Sequence, residues 1–222
     1  MKLLLISASP RGEKSQTFRL AQEVMRGIEE QHRDQVEKKI IQLGTRAIRF
    51  CTHCEACHAK ILACPLKDDV AAILQAMLEA DGIILACPNY INQVPGQLKT
   101  IFDRSSHFIH CLRLRGKYIA GVVTSGSGQD DGVVLSYLRY YSRVCGGQFC
   151  GGVSSRAPAE KAKLDEAFAL GKRLSDDIRS QAVYPEEQQA IKAHQAHFGK
   201  VMEMRRHEWV EEYRYWQEKG WI

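Results

Sequence analysis

Lys2-Leu3-Leu4-Leu5-Ile6-Ser7-Ala8-Ser9-Pro10-Arg11-Gly12-Glu13-Lys14-Ser15-Gln16-Thr17 is the stretch that decides the fold. Leu3 to Ser7 runs almost wholly apolar, without the alternation of a half-exposed strand, as expected where both faces of a parallel sheet are covered. The polar turn Ala8 to Gln16 follows, and then a helical stripe of Phe18, Ala21, Met25 and Ile28. The same unit recurs downstream. Strands are expected around Lys39–Leu43, Gly82–Cys87, Tyr118–Thr124 and Gln148–Val153. Helices are expected after Asp68-Asp69 (Val70, Ile73, Leu74, Met77), from Pro95 through Leu98, Ile101 and Phe102, over Val133–Val144 and over Lys161–Ile178. Five strands alternating with helices predict an α/β, doubly wound parallel sheet.

The 222 residues suffice for a full core, and a formal charge of +5 is modest. The densest basic stretch, Arg113, Arg115 and Lys117, leads into an apolar run and reads as a solvated strand entrance. Basic residues interleaved with stacking aromatics are lacking, so nucleic acid is not an expected partner. No apolar stretch is long enough to span a bilayer, and a membrane is not expected either. The apolar part of Met1 to Ala8 is shorter than a signal-peptide core and meets Pro10-Arg11-Gly12 at once. A cytoplasmic protein with reduced thiols is the expectation.

Four of the eight cysteines fall in one run, Cys51, Cys54, Cys57 and Cys64, followed by Pro65. The spacing C-x2-C-x2-C-x6-C-P lets three thiolates converge from one short loop while the longer gap brings back a fourth. Iron–sulfur clusters are held by four such thiolates, and the bacterial ferredoxin run shares this opening and the trailing proline. Structural zinc sites more often draw two separated C-x2-C pairs, yet zinc or bare thiols remain open on spacing alone. His53 and His58, beside these cysteines, read as solvent-facing loop residues. Cys87, Cys111, Cys145 and Cys150 read as buried small side chains.

In a doubly wound sheet, ligands bind beyond the carboxyl ends of the strands. The loop after the first strand offers the hydroxyls of Ser9, Ser15 and Thr17, the free amides of a helix start, and Arg11, a set suited to a phosphate monoester. It matches neither the Walker pattern nor the G-x-G-x-x-G fingerprint. The loop after the third strand, Cys87 to Gly96, places Tyr90 where it can lie against a flat ring. The loop after the fourth, Thr124 to Gly132, carries glycines that let the backbone approach a ligand. Together the three loops point to a mononucleotide.

On these residues the chain resembles the NAD(P)H-dependent FMN reductase-like group of the flavodoxin-like fold, and within it the iron–sulfur flavoproteins. The resemblance rests on Ser9-Pro10-Arg11 with Ser15-Gln16-Thr17, the cysteine run, and Ala80-Asp81-Gly82-Ile83-Ile84 leading to Pro88-Asn89-Tyr90. It extends through Gln97-Leu98-Lys99, Phe102-Asp103-Arg104 and the closing Tyr215 to Trp221. It implies that Ser9, Arg11, Ser15, Gln16 and Thr17 hold the FMN phosphate. Pro88, Asn89, Tyr90 and Ile91 would line the ring, and Thr124, Ser125 and Gly126 would close over it. Cys51, Cys54, Cys57 and Cys64 would ligate a [4Fe-4S] cluster. Gln16 stands where the family often has Asn, Asn89 where a small apolar residue is common, and Asp130 and Asp131 make the third loop unusually acidic.

Residues 1–184 are thus expected to form a flavodoxin-like FMN-binding domain with the cysteine loop at 51–65, and 185–222 a helical extension. That extension holds all three tryptophans, and Trp209, Tyr213 and Trp216 form an apolar stripe that needs a partner, either the chain's own core or another subunit. The implied function is an electron-transfer flavoprotein joining two-electron to one-electron chemistry. Its donor is ferredoxin or NAD(P)H, its acceptor a small molecule, and it assembles as a homodimer or tetramer. Two alternatives are a cluster-free NAD(P)H-dependent FMN or quinone reductase and, ranked lower, a zinc-stabilised interaction module.

Overall fold

The computed structural model describes residues 1–32 and 35–222. Strands β1 (Lys2–Ser7), β2 (Glu37–Gln42), β3 (Gly82–Pro88), β4 (Tyr118–Ser125) and β5 (Gln148–Arg156) form one parallel sheet in the order β2-β1-β3-β4-β5. That is the order of the flavodoxin-like doubly wound sheet, whose switch point lies between β1 and β3. The helices are α1 (Gln16–His32), α2 (Ala56–Ala59), α3 (Val70–Glu79), α4 (Gly96–Asp103), α5 (Ser106–His110), α6 (Asp131–Val144), α7 (Lys161–Ser180), α8 (Pro185–Arg205) and α9 (Val210–Glu218).

Period-two geometry divides each central strand between two cores. Leu3 and Leu5 of β1 face α1 and α7, packing with Phe18, Val24, Leu170 and Leu174. Leu4 and Ile6 face the other layer, with Ile73, Met77, Leu98 and Leu138. Helices α1 and α7 cross at two glycines. A Cβ built on Gly27 would lie 2.1 Å from the Phe168 carbonyl oxygen, and one on Gly171 would lie 1.9 Å from that of Val24. No side chain larger than hydrogen fits either position.

Strand β2 begins two residues before its expected start and ends one before its expected close. It is an edge strand with exposed Glu37, Lys38 and Lys39, so pairing with β1, and not hydrophobic patterning, sets its bounds. Strand β5 continues to Arg156 because Ser154 and Ser155 pair with Val123 and Thr124 despite their polarity.

The apolar stripe of the extension finds its partner within the chain. Trp209 and Trp216 are buried with Cys111 and Met202, and Trp216 donates from Nε1 to the His110 carbonyl at 3.1 Å. The basic stretch before β4 is not simply solvated. Arg113 lies 4.8 Å over the Tyr215 ring and Arg115 5.2 Å over that of Trp221, while Lys117 donates to the Ala80 carbonyl.

Candidate functional site

Two cavities collect the residues singled out in the sequence, and the first opens at the carboxyl end of the sheet. The first, of about 290 Å³, is lined by Ser9, Arg11, Ser15, Gln16, Thr17, Pro88, Asn89, Tyr90, Thr124, Ser125, Gly126 and Ala157. The loops after β1, β3 and β4 therefore meet at one point, and the end of β5 adds Ala157, which the sequence reading had not singled out. Its only signal was the general rule that strand ends carry sites, applied to a strand longer than its apolar run.

The local chemistry follows from the turns. Gly12, at φ +55°, turns the chain into a short 3-10 turn, Gly12–Lys14, ahead of α1. Ser15 accepts the Phe18 amide at 3.2 Å and caps α1, whose first amides then open toward the cavity. Thr17 and Thr124 are joined through their hydroxyls at 2.6 Å, which ties the β1 loop to the end of β4. Asn89 is fixed twice, by its amide to the Thr124 carbonyl at 2.8 Å and by Nδ2 to Asp131 at 3.0 Å. Asn89 Oδ1 and Asp131 Oδ2 are buried without a partner among the described residues.

Ile91 is the one expected ring contact that does not line this cavity. Ile91 and Asn92 occupy the left-handed region, at φ 53° and 56°, in a tight turn closed by reciprocal bonds between Tyr90 and Gln93. That turn points the Ile91 side chain outward, 99% exposed. A β-branched residue in this conformation is strained. Tyr90, half exposed, stands at the cavity edge.

The second cavity, of about 330 Å³, collects Cys51, Cys54, Cys57 and Cys64. All eight cysteines are free thiols, and the four outside the run are buried, as expected. His53 and Glu55, between successive cysteines of the run, both take left-handed φ, which curls the loop on itself. Burial pushes the Cys57 thiol up to about 11. Ser106 Oγ lies 3.8 Å from Cys57 Sγ, the His53 amide donates to Cys51 Sγ at 3.4 Å, and Arg104 Nη2 donates to Cys64 Sγ at 3.3 Å.

Asp68 does more than precede α3. Its carboxylate accepts the Arg49 amide at 2.8 Å, the Val70 amide at 3.2 Å and a bond from Arg104 Nη1, so one acid joins both ends of the cysteine loop to the end of α4. Burial opposes its ionisation, but these donors hold its carboxyl below the usual carboxylate range.

His58 corrects the expectation of a solvent-facing loop residue: it is buried, whereas His53 is exposed. Its Nδ1 donates to Glu212 Oε1 at 2.7 Å, and His110 Nδ1 donates to Oε2 at 3.0 Å. Glu212 is wholly buried. Desolvation works against its charge, yet the two imidazoles keep it below its ordinary value. Trp209 stacks on His110 at 4.5 Å, and Glu211 accepts the Ile61 amide at 2.7 Å. These contacts depend on the fold of residues 185–222 against the loop, which is why the sequence alone could not supply them.

Comparison with known proteins follows the same lines. Residues 1–157 match a family model described as NADPH-dependent FMN reductase. The chain is 38% identical over 195 residues to an iron–sulfur flavoprotein of Methanocaldococcus jannaschii, covering 81% of this chain and 98% of that protein. It is 38% identical over 143 residues to an iron–sulfur flavoprotein of Archaeoglobus fulgidus, covering 63% and 68% respectively. Among solved structures, a WrbA-like flavodoxin of Agrobacterium tumefaciens superposes with a TM-score of 0.57 at 20% identity, over 82% of this chain and 99% of that one, a likeness of fold.

Proposed function

Because the chain belongs to the NADPH-dependent FMN reductase family, as one of its iron–sulfur flavoproteins, we propose an electron carrier with two centres. It is an FMN-binding, flavin-dependent oxidoreductase. In the proposal, Ser9, Arg11, Ser15, Gln16 and Thr17 hold the phosphate, with α1 adding its free amides. Pro88, Asn89 and Tyr90 flank the ring, and Thr124, Ser125 and Gly126 close over it. The buried Asn89 Oδ1, which has no partner among the described residues, suits a ring N–H. Cys51, Cys54, Cys57 and Cys64 hold a [4Fe-4S] cluster.

The observation that carries this reading is the convergence of four free thiols on one cavity separate from the phosphate-binding loop. Bound FMN exchanges two electrons or one, and a cluster exchanges one at a time, so the pair connects the two regimes. The protein's own part is to hold both centres, exclude water and supply hydrogen bonds. Residues 1–184 form the FMN-binding domain, and 185–222 brace the cysteine loop.

NAD(P)H or ferredoxin supplies electrons in this proposal, and a small molecule accepts them. Phe50 (79% exposed) beside the cysteine run and Ile91 (99%) beside the ring cavity support assembly as a dimer or tetramer. Among the described residues no helix is long and apolar enough to cross a membrane. A cytoplasmic location suits thiols that must stay reduced.

The test is iron, acid-labile sulfide, zinc and released flavin per chain after anaerobic purification. About four iron and four sulfide with one FMN is the expected result. FMN without iron or sulfide would establish the cluster-free reductase, and zinc without flavin would establish the interaction module.

A further inference from the structure

The guanidinium of Arg104 is the most constrained charged group beside the cysteine cavity. It follows the last residue of α4, lines the cavity, and has a side chain only 2% exposed against 1% for its partner Asp68. Nη1 donates to Asp68 and to the Arg49 carbonyl at 3.1 Å, and Nη2 donates to Cys64 Sγ at 3.3 Å. Nε–H is buried with no acceptor among the described residues. A buried donor without a partner is uncommon and calls for an explanation.

We propose that Arg104 is a positioning residue that sets the electron affinity of the centre at the cysteine run, by donating to the Cys64 sulfur and offering Nε–H to a second sulfur acceptor. The inference rests on the cluster reading above. Potentials of thiolate-bound clusters respond to hydrogen bonds on sulfur and to local charge. Adding an electron makes the site more negative, so a fixed cation bonded to a ligand sulfur favours the reduced form and raises the potential. Lysine cannot replace this arrangement, because a single ammonium lacks the planar fork that reaches sulfur, carboxylate and carbonyl together. Asp68 partly offsets the charge and holds the fork in place. Arginine stays charged throughout, so the effect does not depend on its titration.

The experiment compares four anaerobically purified proteins: wild type, Arg104→Lys, Asp68→Asn, and Asp68→Asn with Arg104→Met. Iron, sulfide and FMN content is measured for each, and cluster and flavin midpoint potentials are followed by electron paramagnetic resonance and absorbance. The double variant removes both charges, so it leaves no unpaired buried carboxylate, and its difference from Asp68→Asn reports the arginine. The expected result is a cluster potential lower by at least a tenfold change in the one-electron equilibrium, about 59 mV, with the flavin potential unmoved. Arg104→Lys is expected to fall between, and it carries the test if the double variant loses its iron. Wild type with four iron and an unshifted cluster potential in the variants would overturn the inference alone. Wild type without iron or sulfide would overturn the cluster reading first, and the inference with it.

Discussion

At the scale of single residues, His107 shows how burial fixes a protonation state. It is 1% exposed, packs edge-on to Phe108 at 5.0 Å, and neither ring nitrogen has a partner among the described residues. Burial lowers its pKa to about 3. The unfolded chain therefore binds a proton that the folded chain refuses, and folding loses stability as pH falls from about 6.5 toward 3. One such group contributes at most about 1.4 kcal/mol per pH unit. Urea midpoints of the wild type should fall across this window, and His107→Leu should flatten that part of the slope. Equal slopes in both proteins would exclude His107 as the cause.

The cofactor assignments are tested one side chain at a time. Cys57→Ala should lose the cluster while FMN stays bound, as iron, sulfide and flavin assays would read. Full iron in that variant would remove Cys57 from the ligand set. Arg11→Ala with Ser15→Ala deletes a cation and the cap of α1. FMN affinity should drop by roughly tenfold or more, since a single bond to a charged group is worth about 1.5–3 kcal/mol. Unchanged affinity by fluorescence titration would refute the phosphate role. Residue types and spacing singled out most of the residues that line the two cavities. Burial of His58 and the outward turn of Ile91 were not legible, because both depend on where distant or strained backbone points a side chain.

At the scale of elements, the crossing of α1 and α7 carries a sharp expectation. In an exposed helix Gly→Ala gains about 1 kcal/mol of propensity. At Gly171 the added methyl would instead enter the Val24 carbonyl, so Gly171→Ala should destabilise by about 1–3 kcal/mol through overpacking. A raised melting temperature would contradict the tight crossing. Strands β1, β3 and β4 could be read from sequence because burial on both faces writes itself as an apolar run. Edge strands β2 and β5 were read with displaced ends, since pairing extends through residues with no hydrophobic signal. The short helices α2 and α5 escaped notice for a related reason: four or five residues carry no measurable period.

At the scale of the whole molecule, the exposed Ile91 bears on assembly. If copies of the chain meet over the cavity mouths, Ile91→Glu should shift sedimentation toward the monomer and leave circular dichroism unchanged. An unaltered oligomer would place the interface elsewhere. The fold and its strand-end site were legible because each βα unit carries its own pattern. The joining of residues 185–222 to the cysteine loop was not, since it is a long-range contact between elements that look self-sufficient.

That joining has a consequence for the order of synthesis. His58 and its anchor Glu212 are 154 positions apart in the chain. At a ribosomal rate of about 5–20 residues per second, the cysteine loop waits roughly 8–30 s before its brace is translated. During that interval four thiols stand on a loop with one wall missing, open to scavenging metal ions and oxidants. A centre held by these thiols would therefore be fully enclosed only after α9 has been translated and packed.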